Sequence, residues 1–74
     1  MGNKWSTIEW AHECQYISNQ TQQVKAGFPA KEFNYDTECF RSYARMQQQA
    51  AENGGFYDSA ECIQHCLDDI EGLS

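Results

Sequence analysis

Asp58-Ser-Ala-Glu-Cys-Ile-Gln-His-Cys-Leu-Asp-Asp-Ile-Glu-Gly72 carries half of the cysteines and most of the charge imbalance of the chain, and its spacing decides the fold. Cys62, Ile63, Cys66, Leu67, Ile70 and Leu73 recur at three- and four-residue intervals, so on a helix they share one face. Glu61, His65, Asp68 and Glu71 fall mostly on the opposite face. The ends are marked as well: Asp58 is a good N-cap, Glu61 stands where a capping box needs it, and Gly72 suits a left-handed stop. The stretch predicts an amphipathic helix over 58–72, apolar toward a core and acidic toward solvent.

Two further helices are expected ahead of it. Ser6-Thr-Ile-Glu9 is a capping box, and Gly27 followed by Pro29 bars a helix from continuing past Ala26. Between them Trp10, Cys14, Ile17, Thr21 and Val24 step by four, three, four and three, which places them on one buried seam. Asp36 caps a second helix that Gly54-Gly55 ends near Asn53; Cys39, Tyr43, Met46 and Ala50 repeat the seam spacing, with Phe40, Ala44 and Ala51 widening it. Gln47-Gln48-Gln49 reads as surface. A short helical turn near 29–34 brings Phe28 and Phe33 to one end of the bundle. Helices over 6–26, 36–53 and 58–72 with short connections make an all-α, antiparallel three-helix bundle, a single domain over 1–74.

With 74 residues the domain buries only ~60% of the surface its unfolded chain exposes, so a staple or a partner would help it. No apolar run approaches the ~18 to 20 residues that cross a bilayer, and the polar N-terminus has no signal-peptide hydrophobic region. The expectation is a soluble cytoplasmic protein with reduced thiols, or a secreted or periplasmic one if the cysteines are bridged. Met1-Gly2 with Ser6 matches only the barest myristoylation pattern.

Cys62 and Cys66 lie one turn apart on one helix, where a mutual bridge would distort it, so bridges should run to the other helices. Axial height in an up-down-up bundle prefers Cys14 with Cys62 and Cys39 with Cys66. Four buried thiols in a reduced core are the plainer alternative. A zinc site using His12 or His65 matches no usual ligand spacing, and neither a metal nor a cofactor is expected.

Charge carries the functional reading. The sequence holds 5 basic and 11 acidic residues, and no Lys or Arg follows Arg45, so the net charge of -6 comes from the rear of the chain. That layout disfavours direct nucleic-acid binding and favours a protein partner with a basic surface. Asp68, Asp69 and Glu71 fall in the last turn of the third helix, where the macrodipole disfavours acids by ~0.3 to 1 kcal/mol each, which suggests that they serve a partner. Glu61 extends the same face. The chain also has more aromatic residues than so small a core can bury, which makes Trp5, Tyr16 and Tyr35 candidate interface anchors.

No nucleophile–base arrangement, Gly-rich phosphate loop or zinc-hydrolase motif is present, and the chain reads as non-enzymatic. The leading expectation is a small acidic inhibitor or decoy, monomeric or a small homo-oligomer, that docks on the basic surface of a nucleic-acid-handling protein in the manner of phage- or plasmid-borne anti-defence proteins. The alternative is an exported, disulfide-stapled helical effector, toxin or immunity protein that blocks a protein target.

Overall fold

The first helix starts where its capping box predicts. In a computed structural model that describes residues 5–72, Ser6 Oγ accepts the Glu9 backbone N–H at 3.2 Å and the Glu9 carboxylate accepts the Ser6 N–H at 2.8 Å. The myristoylation-like Met1-Gly2 start and Leu73 lie outside the described residues. The chain forms α1 (Thr7–Lys25), a single 3-10 turn (Lys31–Phe33), α2 (Thr37–Asn53) and α3 (Tyr57–Glu71), with no strand among the described residues.

Two glycines supply the left-handed backbone that ends α1 and α2. Gly27 (φ 88°) and Gly55 (φ 84°) each follow a helix, and the residues after them close back on it. Phe28 N–H donates to Gln23 at 2.8 Å and Phe56 N–H to Ala51 at 2.8 Å, the six-to-one bond of a Schellman motif. Gly72 does not play that part: it remains right-handed, its N–H donating to Asp68 at 2.9 Å. The predicted Asp58 cap also differs. Phe56 occupies the N-cap position without a side-chain cap, because its ring packs 6.1 Å from Trp10 and its carbonyl accepts the Ala60 N–H at 3.0 Å. Asp58 therefore lies inside the first turn, where its charge still suits the positive helix end.

The helices form the expected up-down-up bundle, with α3 packed along both others while α1 and α2 meet at few points. Cys14 meets Ser59 and Lys25 meets Asp69, so α1 and α3 run parallel; Arg41 and Arg45 meet Glu71 and Gln48 meets Gln64, so α2 runs against α3. All five expected seam residues of α1 are buried, and α3 contributes Ala60, Ile63, Cys66, Leu67 and Ile70.

The expected stripe of α2 is kept along Phe40, Ala44 and Ala51, with Tyr43 and Ala50 half-buried beside them, but two of its members face outward. Phe40, Ala44, Gln47 and Ala51 are buried, whereas Cys39 is exposed and Met46 is 67% exposed. Phe33 rises from the 3-10 turn into the core, with ring centroids 5.2 Å from both Phe40 and Tyr43, and so draws the Phe40–Tyr43 side of α2 inward and leaves Cys39 outside. Phe28, expected beside Phe33 at this end, is exposed. Gln47, read as surface, is buried because Glu13 of α1 accepts from its amide at 3.0 Å.

Candidate interaction surface

Pairing within the molecule sorts the acids of α3 into two groups. Asp69 receives Lys25 of α1 at 3.4 Å, and Glu71 receives Arg41 at 3.1 Å and Arg45 at 2.9 Å, both from α2. The last turn of α3 thus acquires its cations from neighbouring helices, which offsets the unfavourable dipole interaction that a reading of α3 alone assigns to these acids. Asp69 and Glu71, expected at the docking face, also tie the helices together.

The second group is Asp58, Glu61 and Asp68. All three are exposed, and at spacings of three and seven residues they form one ridge about 15 Å long with His65 between the last two. Asp68 accepts from its helical neighbour Gln64 at 2.8 Å, and no cation pairs with any of the three among the described residues. Three of the basic residues are already engaged at Glu38, Asp69 and Glu71, so the field of this ridge is not cancelled locally.

The aromatic candidates divide as well. Trp5 precedes the Ser6 cap and stacks on Trp10, with centroids 4.7 Å apart, which is the hydrophobic staple between the residue before a cap and the fourth helical position. Tyr16 is half-buried edge-on against Tyr43 at 6.4 Å. Burial, helped by the Glu32 and Glu13 carboxylates, raises its phenol pKa above the ordinary range. These two hold the bundle together. Tyr35 is exposed, and it sits in left-handed backbone (φ 56°) directly after Asn34 (φ 55°).

Tyr57, which the sequence did not single out, is 70% exposed at the head of α3. It lines a cleft of about 250 Å³ together with Thr7, Gly55, Phe56, Asp58 and Ser59. The cleft places an exposed aromatic ring beside the first acid of the ridge. One signal pointed to it: Tyr57 stands six residues before Ile63 and thirteen before Ile70, spacings that put it on a different helical face from that buried seam.

The four thiols are free, and three gather at one interface. Cys14 donates to the Ser59 carbonyl of α3 at 3.6 Å, and Cys62 interacts with both Cys14 and Cys66. Neither expected bridge, Cys14–Cys62 or Cys39–Cys66, is formed. Cys39 faces solvent at the head of α2, whereas Cys66 is buried on the α1 side of α3 against Thr21. No group of three His, Cys, Asp or Glu side chains is arranged to hold a metal ion among the described residues, and no helix there is long and apolar enough to cross a membrane.

A buried polar link joins α1 to α2. Tyr43 donates its hydroxyl to Glu13, which also accepts from Gln47. Burial and then the bond to Glu13 push the Tyr43 phenol far above its usual pKa, so it stays a donor. Comparison with protein-family models, curated proteins and solved structures yields no match for this chain.

Proposed function

We propose that the protein is a small non-enzymatic binding domain that docks the Asp58–Glu61–Asp68 ridge, with Tyr57 at its head, on a basic surface of another protein. The observation that carries this reading is the distribution of ion pairs: three of the five cations, Lys25, Arg41 and Arg45, are drawn to Glu38, Asp69 and Glu71, and no ion pair among the described residues reaches the exposed ridge of α3. A partner that handles nucleic acid fits this chemistry, since its basic surface already accommodates a line of negative charge. An inhibitor or decoy, of the kind carried by phages or plasmids against host defences, is the corresponding role. Tyr57 supplies the aromatic anchor that a purely ionic contact lacks.

Association kinetics test the reading. A partner recovered by affinity capture is measured against the native chain and against Asp58→Asn/Glu61→Gln/Asp68→Asn at low and high salt. Steering decays over a Debye length of ~8 to 10 Å near physiological salt, so association of the native chain should slow as salt rises. The triple variant should associate slowly at both, with dissociation little changed. Equal association rates for the two proteins would overturn the assignment.

A further inference from the structure

We propose that Cys14 and Cys62 form a thiol–disulfide exchange site that takes a small-molecule disulfide as substrate and ends as a covalent link between α1 and α3. The placement of the sulfurs carries this inference. Cys14 Sγ lies 3.6 Å from the carbonyl of Ser59, one turn before Cys62. Helical side chains lean toward the N-terminus, so the Cys62 side chain covers that same turn. The two thiols therefore face one another across the helix interface, and Cys62 interacts with Cys66 as well as with Cys14.

Exposure gives the two cysteines different parts. Cys62 is half-buried and within reach of a small reagent, whereas Cys14 and Cys66 are buried. The Cys62 thiolate attacks one sulfur of a disulfide RSSR. The S–S bond of the reagent breaks, RS⁻ leaves and takes up the proton that Cys62 lost, and Cys62 holds the other RS group as a mixed disulfide. Cys14 then attacks the Cys62 sulfur, the mixed disulfide breaks, and a second RS⁻ leaves with the Cys14 proton. The protein has lost two protons and two electrons, and RSSR has become two RSH. Burial pushes the Cys14 thiol up to about 11, so the closing step is the slower one and the mixed disulfide accumulates first.

Cys66 does not compete for the closing step. It shares a helix with Cys62 one turn away, about 6 Å along the axis, where parallel side chains cannot bring two sulfurs to bonding distance without distorting the helix. Its thiol is also engaged with Thr21 of α1. Cys39 is exposed and takes a reagent adduct, but no second thiol stands beside it to displace that adduct.

The full chain, freed of reductant, is incubated with glutathione disulfide, quenched with acid at intervals, alkylated and peptide-mapped. The expected course is a glutathione adduct on Cys62 that decays as a Cys14–Cys62 cross-link appears, while Cys66 remains alkylatable once the protein is unfolded. The adduct on Cys62 should persist in Cys14→Ala, and Cys66→Ala should close as the native chain does. The mapping of the native chain stands even if a variant fails to fold. Closing so long a loop should raise Tm by roughly 10 °C or more, reversed by reductant. A Cys62–Cys66 link, free Cys14 after long incubation, or a link that forms only as the helical far-UV signal is lost would overturn the site.

Discussion

Arg45 reaches from α2 to within 2.9 Å of Glu71 on α3, and Arg41, one turn earlier on the same helix, approaches the same carboxylate oxygen at 3.1 Å. One acid at the end of α3 thus fixes two cations of its neighbour. Glu71→Gln should destabilise the fold by about 1 kcal/mol, at the upper end for exposed pairs because Arg45 and Arg41 lose this acceptor together, Arg41 keeping Glu38 at 3.0 Å. Salt should shrink that difference, since the pairs are partly open to solvent. Urea denaturation at two ionic strengths measures both, and a variant as stable as the native chain at low salt would show that the contact contributes nothing.

The Tyr43 hydroxyl, with the Gln47 amide beside it, links α2 to Glu13 in a pair of helices that otherwise meet at few points. Tyr43→Phe keeps the ring on Phe33 and Tyr16 but leaves the half-buried Glu13 bonded to the Gln47 amide alone of this pair, at 3.0 Å. A charge-assisted bond in partly buried surroundings is worth ~1.5 to 3 kcal/mol, so the denaturation midpoint should fall clearly. An unchanged midpoint would mean that water replaces the hydroxyl without cost.

These two relationships mark where sequence reasoning stops. The seam of α1 and the outward face of α3 were legible because their spacing is regular and their ends are punctuated by a capping box and glycines. The edges of the α2 stripe were not: Cys39 and Phe40, or Met46 and Gln47, are neighbours on the helix, and the choice at its head is made by Phe33 arriving from another element. Likewise Gln47 is buried only because Glu13 of α1 receives it. The docking acids show the same division. Their exposure could be read from α3, but the neutralisation of Asp69 and Glu71 depends on Lys25, Arg41 and Arg45, whose positions are fixed only when the helices pack. The packing of Trp5 is legible too, since its place before the Ser6 cap is the signature of a hydrophobic staple.

Tyr35 holds a left-handed backbone (φ 56°) that bulky side chains seldom adopt, and its ring is exposed and offsets little of that strain. Asparagine tolerates the same conformation far better. Tyr35→Asn should therefore leave stability unchanged or raise it by about 1 kcal/mol, read as a Tm increase of a few degrees. A fall in Tm would show that the ring is held by packing that outweighs the strain. If the variant is more stable yet binds a captured partner less well, Tyr35 belongs to the docking surface along with Tyr57.

The buried thiols set how the fold responds to alkali. Burial raises Cys14 from 9.0 to about 11, and burial likewise raises Cys66. A thiol is neutral when protonated, so the folded state retains protons that the unfolded chain releases once the pH passes 9.0. Stability from this source is fully present below that point and is lost as the pH climbs toward about 11, where the folded thiol also ionises. For Cys14 alone the loss amounts to ~2 to 3 kcal/mol when complete. The Tyr43 phenol, raised by burial and by its bond to Glu13, adds a loss of the same sign as the pH passes the ordinary tyrosine range. Reduced protein should therefore melt at steadily lower temperature between pH 8.5 and pH 10.5, roughly the span over which unfolded thiols ionise before folded ones do. Cys14→Ala should flatten the slope, whatever it costs in absolute stability, because it removes the titrating group. A slope identical in the native chain and the variant would locate the alkaline sensitivity elsewhere, with Tyr43→Phe as the next variant to measure.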